Sequence, residues 1–184
     1  MTGSKPRAIA SLGIVLGLGA IGTLAAWSDT ATATSGVFST GSIDLQLNGQ
    51  QGNPGAYAFA TLTKTGMMPG NSVAATLPVQ NTGSTAFNYT MAAAATSSVL
   101  APHLKVTVST GTSNGTVCSG GTVIANNVAL VSGGSANLIA TPRPLAATTG
   151  AETLCFQVTL DPAAPTNVQN QTVNTSFNFN ATTA

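Results

Sequence analysis

The sequence predicts an all-β protein, an antiparallel β-sandwich preceded by an N-terminal signal helix. Three observations lead there. Beyond Gly36 apolar and polar residues alternate with a period of two almost throughout. Clusters of Gly, Pro, Asn and Ser interrupt that alternation about every 8 to 12 residues, the rhythm of turns in a sandwich. After the apolar N-terminus, no stretch carries the 3.6-residue period of an amphipathic helix.

The N-terminus comes first in the chain and has a different chemistry. Lys5 and Arg7 precede an uncharged apolar run over residues 8–26, and Thr23 and Ala25 stand at the −3 and −1 positions of a signal-peptidase site. Cleavage between Ala25 and Ala26 follows, giving a signal peptide of residues 1–25. The competing reading is an uncleaved membrane anchor, since a run of about 20 apolar residues spans a bilayer. Gly13, Gly17, Gly19 and Gly22 count against it because glycine weakens helices.

Residues 26–36 form an extended segment ahead of a sandwich domain at 37–184. In it Ala31 and Ala33 alternate with Thr30, Thr32 and Thr34, after Trp27 and Asp29. An extended chain with that pattern has one small apolar face and one hydroxyl face. It suits addition to an exposed sheet edge, with Trp27 as an anchor and about 0.5 to 1.5 kcal/mol net for each main-chain hydrogen bond. A disordered leader, or the first strand of its own sheet, is the plainer alternative.

The strands follow in order. Ile43, Leu45 and Leu47 alternate with Ser42, Asp44 and Gln46 up to a turn at Asn48-Gly49. Residues 57–62 are a weaker strand candidate. Turn chemistry at Met68-Pro69-Gly70-Asn71 introduces a strand over residues 73–79, where Pro78 suggests an edge position. After Asn81-Thr82-Gly83-Ser84, Phe87, Tyr89 and Met91 mark the next strand, and residues 92–95 allow a helical turn. Leu104, Val106 and Val108 mark another. Residues 111–134 read as short strands in long loops. Leu154, Phe156, Val158 and Leu160 form the cleanest apolar face, ended by Asp161-Pro162. Residues 161–171 are too long for a hairpin and suggest a crossing between sheets before Val173, Phe177 and Phe179. The total is about eight or nine strands.

Composition restricts function. Charged residues are 5% of the 184. Without the signal peptide, Lys64, Lys105 and Arg143 face Asp29, Asp44, Glu152 and Asp161, a net charge of −1. No basic stripe exists to neutralise phosphates, so nucleic acid is not an expected partner. Near-neutrality lowers the barrier to self-association. Cys118 and Cys155, an even pair in an exported chain, are expected to form a disulfide. Cys155 lies out of phase with the apolar face of its strand, so the bond belongs on the other side of the sheet or clips a loop there.

Enzyme motifs fail on their context. Gly17-Leu18-Gly19-Ala20-Ile21-Gly22 fits a dinucleotide fingerprint but lies inside the export segment. Gly111-Thr112-Ser113-Asn114-Gly115 fits a serine-hydrolase elbow, yet the residues after it cannot form the required helix. His103 is the only histidine and Glu152 the only glutamate, so no usual zinc site or general base can be assembled. Asp29 and Asp44 are at most a weak cation site, and polar strand residues is the simpler reading. An isopeptide bond from Lys64 or Lys105 to an Asn beside Glu152 is a minor alternative. No catalytic residue, metal or cofactor is expected.

Several motifs together resemble a family. Ala25, Trp27-Ser28-Asp29 and the run from Phe38 to Gly49 (FSTGSIDLQLNG) are joined by Met68-Pro69-Gly70-Asn71-Ser72, Val79-Gln80-Asn81-Thr82-Gly83-Ser84, Glu152-Thr153-Leu154-Cys155-Phe156 and Ser176-Phe177-Asn178-Phe179. This pattern resembles the camelysin/TasA-like proteins exported with a SipW-type signal peptide, most closely their short actinobacterial members. The resemblance implies a jelly-roll-like sandwich, secretion and, for some relatives, surface fibres in which the N-terminal segment of one subunit completes the sheet of the next. The metalloprotease-like activity ascribed to one branch has no residues to carry it here.

The expectation is therefore a secreted, extracellular structural protein at the cell surface, a subunit of a cell-surface or biofilm-matrix filament built by N-terminal strand addition. Its partners would be copies of itself head to tail, a co-secreted anchor or cap subunit, and the signal peptidase during export. Membrane contact would run only through an uncleaved signal segment. A monomeric secreted adhesin or carbohydrate-binding module is the alternative. Against it, aromatic residues are 5% of the chain and Trp27, the one Trp, lies in the N-terminal segment.

Overall fold

The computed structural model describes Thr32 and residues 35–183. The chain divides into a unit of Met1–Ser39 and a compact unit of Thr40–Ala184. In the first, Thr32 and residues 35–39 have no regular secondary structure. The signal helix and the cleavage residues Ala25 and Ala26 lie outside the described residues. Among the described residues no helix is long and apolar enough to cross a membrane.

The second unit is all-β, two antiparallel sheets around one core, as in a β-sandwich. Among the described residues eleven strands run in chain order: β1 Leu45–Leu47, β2 Gln50–Gln51, β3 Ser72–Asn81, β4 Phe87–Ala95, β5 Leu104–Ser109, β6 Thr112–Ser113, β7 Cys118–Ser119, β8 Val123–Ala129, β9 Ser135–Leu145, β10 Gly150–Leu160 and β11 Thr175–Thr183. The larger sheet has the order β2-β1-β3-β10-β5-β8, the smaller one β11-β4-β9, and β6 and β7 form a separate hairpin.

Alternation sets the core. From β10, Leu154 and Phe156 meet Leu77 and Ala75 of β3 in register and Val106 and Val108 of β5 nearby. Phe87, Tyr89, Met91 and Ala93 of β4 face them from the other sheet, all buried. Phe156 and Phe177 pack at 4.8 Å between ring centroids and so join the sheets. Each large side chain buried this way contributes roughly 1.5 to 3 kcal/mol relative to exposure.

Polar groups fasten one end of the sandwich. Asn81 is buried, and its side-chain amide donates to the carbonyls of Thr85 at 2.9 Å and Ala146 at 2.9 Å, while its Oδ1 accepts the Gly83 N–H. Residues 42–44 are strapped beside this turn: Thr85 N–H donates to Ser42 C=O and Thr82 N–H to Asp44 C=O. Gly83 has to be glycine here, because a Cβ would stand 2.4 Å from the Ser42 carbonyl oxygen.

Several expectations need correction. Residues 92–95, expected to allow a helical turn, continue β4 against Asn178 through Thr175. Residues 57–62 form no strand; they cross the open flank as a loop in which Phe59 packs on Phe156 at 5.5 Å and on Phe177 at 6.4 Å. Pro78 lies within an inner strand, tolerated because β1 reaches only Val79 and the Pro78 carbonyl accepts Asn48 N–H beyond it. β9 has no counterpart in the sequence reading. Its neighbours Leu138 and Ile139 are both buried, which a β-bulge permits and strict alternation forbids. The turn at Asn48-Gly49, with φ of 50° and 75°, and the crossing after Asp161 between the two sheets are as expected.

Candidate functional site

The residues expected to carry assembly, Trp27, Asp29, Thr30, Ala31, Ala33 and Thr34, lie outside the described residues; Thr32 is described and exposed. What the structure defines is the set of sheet edges that an added strand would meet. An unpaired edge is a row of free N–H and C=O groups, and most proteins interrupt it.

Among the described residues the two main sheets have four edges, and three of them are interrupted. β2 has two residues. β8 is bulged twice against β5, with Asn127 at φ 51°. β9 carries Pro142 and Pro144, which withdraw two donors, and its own bulges. β11, by contrast, pairs with β4 in one unbroken register from Thr175↔Ala95 to Thr183↔Phe87.

Between β8 and β9, where the two sheets part, lies a groove of about 480 Å³. Its lining includes Ile124, Ala125 and Val128 from β8 and Leu138, Ala140 and Pro142 from β9. The walls mix these small apolar side chains with the polar groups of Asn126, Asn137, Thr141 and Arg143, so the groove admits short side chains on an extended backbone and offers polar partners beside them.

Arg143, at one end of this groove, belongs to the most concentrated charge cluster among the described residues. Its Nε donates to Glu152 Oε2 at 2.8 Å, a second guanidinium nitrogen donates to Oε1, and Tyr89 Oη donates to Oε2 at 2.5 Å. The side chains span both sheets, since Tyr89 and Arg143 come from the smaller and Glu152 from the larger. Burial alone pushes the Glu152 carboxyl up. The Arg143 and Tyr89 hydrogen bonds and the guanidinium charge outweigh burial and hold it below its ordinary range. Burial and the adjoining carboxylate push the Tyr89 hydroxyl well above its ordinary value, and the Glu152 bond pushes Arg143 up. All three groups are therefore fixed in charge at neutral pH and tied to one another. That is a brace between sheets, without a free acid or base to transfer a proton.

Other expected residues fall as follows. Cys118 and Cys155 form a disulfide with Cα atoms 5.9 Å apart, closing a separation of 37 residues. It holds the β6–β7 hairpin on the outer face of the larger sheet, the side predicted from the phase of Cys155. Asp44 accepts hydrogen bonds from Thr82, Gln51 and Gln46, which hold its carboxyl below the ordinary range and use it as a clamp on β1 and β2. Asp29 lies outside the described residues, and no group of three metal-ligating residues occurs among those described. His103 ends a short 3-10 turn, Ala101–His103, where its carbonyl accepts Asp161 N–H. The isopeptide alternative is not built: Lys64 Nζ donates to Ser72 C=O, Lys105 lies 3.9 Å from Asp161, and Glu152 is occupied by Arg143 and Tyr89.

Sequence reasoning missed β9, and with it the groove and the brace, because prolines and a broken period hid the strand. The only early signal was that Arg143 and Glu152 are so rare a pair of charges. A scan against models of protein families matches none, and a search of the curated proteins finds no match either.

Proposed function

We propose that this chain is a secreted structural protein, the subunit of a cell-surface or biofilm-matrix filament in which residues 26–36 of one copy lie in the β8–β9 groove of the next. The observation that supports this reading is the groove itself, placed where the smaller sheet stops. We read the sandwich as jelly-roll-like: a full jelly roll has eight strands in two sheets, whereas here four long strands, β3, β10, β5 and β8, face three. A strand added beside β9 supplies the fourth.

The chemistry of the segment suits the space. Ala31 and Ala33 are short enough for a floor of Ala125, Leu138 and Ala140, and Thr30, Thr32 and Thr34 keep the other face wet. Because Pro142 and Pro144 lack N–H groups but keep their carbonyls, the incoming segment donates more than it accepts there, and side-chain fit carries the rest. Such a head-to-tail contact does not close on itself, so it propagates. The disulfide suits an oxidising compartment, in keeping with secretion.

Electron microscopy of protein beginning at Ala26, beside protein beginning at Gly36, tests the proposal. Fibres from the longer form alone are expected. Fibres from both would remove the segment from the mechanism; fibres from neither would favour the monomeric adhesin or carbohydrate-binding module.

A further inference from the structure

The β11 edge has a geometry the filament reading does not use. Thr96 N–H donates to Asn174 C=O at the mouth of the β4–β11 pair. In an antiparallel ladder a residue points its N–H and C=O to the same side, and the side alternates. Continuing from Asn174, residues Ser176, Asn178, Asn180 and Thr182 therefore bond to β4. Thr175, Phe177, Phe179, Ala181 and Thr183 direct their main-chain groups outward. Among the described residues nothing accepts from or donates to them. The edge is about 30 Å long at roughly 3.4 Å per residue, and it carries no proline, bulge or charge. Each of the other three edges is shortened, bulged or proline-bearing, so this one is the exception.

We infer that β11 pairs with β11 of a second copy about a two-fold axis through Phe179, joining the two smaller sheets into one six-stranded sheet. The sequence of the strand, TSFNFNATT, is self-complementary in that arrangement. With Phe179 opposite its symmetry mate, Phe177 meets the partner's Ala181 on the core face, where both are half-buried in a single copy. Asn178 meets the partner's Asn180 on the exposed face, amide to amide. All five outward residues then fall in hydrogen-bonded pairs. No like charges oppose one another, as happens in most edges protected by lysine. The contact is isologous and closes at two copies, so it pairs subunits side by side and needs nothing from the N-terminal segment.

The test uses the chain from Ala26 and four variants. Amide exchange at Phe177, Phe179 and Ala181 should slow about tenfold or more as concentration rises through the dimer transition, while the already bonded Asn178 and Asn180 change little. Ala181→Pro removes one outward donor without touching β4 and should leave a monomer by sedimentation. Asn178→Lys with Asn180→Lys sets lysines opposite lysines at exposed positions that tolerate them. It should dissociate the pair at low salt, and mixing with the corresponding Asn178→Glu, Asn180→Glu protein should restore it. A chain monomeric at millimolar concentration overturns the inference, as does an association unchanged by these substitutions. Protection of the same amides that vanishes in Thr30→Pro, Thr32→Pro would assign the edge to the N-terminal segment instead, and equally overturns it.

Discussion

Replacing Glu152 with Ala removes the acceptor of three hydrogen bonds at once and leaves the Arg143 guanidinium and the Tyr89 hydroxyl facing each other without a carboxylate. A fully buried pair broken in this way costs about 3 to 5 kcal/mol. The Arg143 side chain keeps 30% of its surface in water and the Glu152 side chain 17%, so solvent recovers part of that loss. A cost of about 2 to 3 kcal/mol at neutral pH remains, or a shift of about 1 M in the urea midpoint. Acid gives a second handle. Because Glu152 is held below its ordinary range, its contribution is complete above that range and is lost as pH falls through the lowered value. The stability gap between the natural chain and Glu152→Gln should therefore be widest near neutrality and narrow in strong acid. Urea unfolding at a series of pH values measures it, and Arg143→Met in a double-mutant cycle gives the coupling. A gap that does not change with pH, or a neutral-pH cost under about 0.5 kcal/mol, would refute the assignment of a brace.

Three further outcomes follow from the fold. Reducing the Cys118–Cys155 bond should lower stability by about 3 to 4 kcal/mol; because the hairpin it holds lies outside the core, far-ultraviolet dichroism at moderate temperature should hardly change while proteolysis within residues 110–122 accelerates. Phe59→Ala should cost about 2 to 3 kcal/mol in thermal unfolding, since it removes the ring that packs on both Phe156 and Phe177. Gly83→Ala forces the strap at residues 42–44 away from its turn, so exchange at the Thr82 and Thr85 amides should rise and about 1 to 2 kcal/mol should be lost.

How far the residues announced this structure depends on whether their neighbours allowed a regular pattern. Leu154, Phe156, Val158 and Leu160 sit on a strand flanked on both sides, where the period of two survives intact, and they were legible at once. The side of the sheet that takes the disulfide followed from the phase of a single cysteine. Leu138 and Ile139 were not legible, because a bulge turns two consecutive side chains inward and Pro142 and Pro144 read as a loop. Phe59 looked like a strand residue yet packs from irregular chain, since what it needs is an aromatic cluster and not a ladder. The groove was invisible for a related reason: it arises from where two sheets end, a property of topology that no local window contains.

β10 has one more consequence. It is one of the two central strands of the larger sheet, bonded to β3 on one side and β5 on the other, and it supplies Phe156, Cys155 and Glu152 to the core, the disulfide and the brace. Its two neighbours are distant from it in the chain, since β3 begins at Ser72 and β5 at Leu104 whereas β10 begins at Gly150. Until it arrives, β3 and β5 have no common neighbour and the sheet has a vacancy at its centre. A polypeptide arranged so must bring together segments far apart along the chain before its larger sheet is continuous, a non-local pairing that slows the closing of the fold.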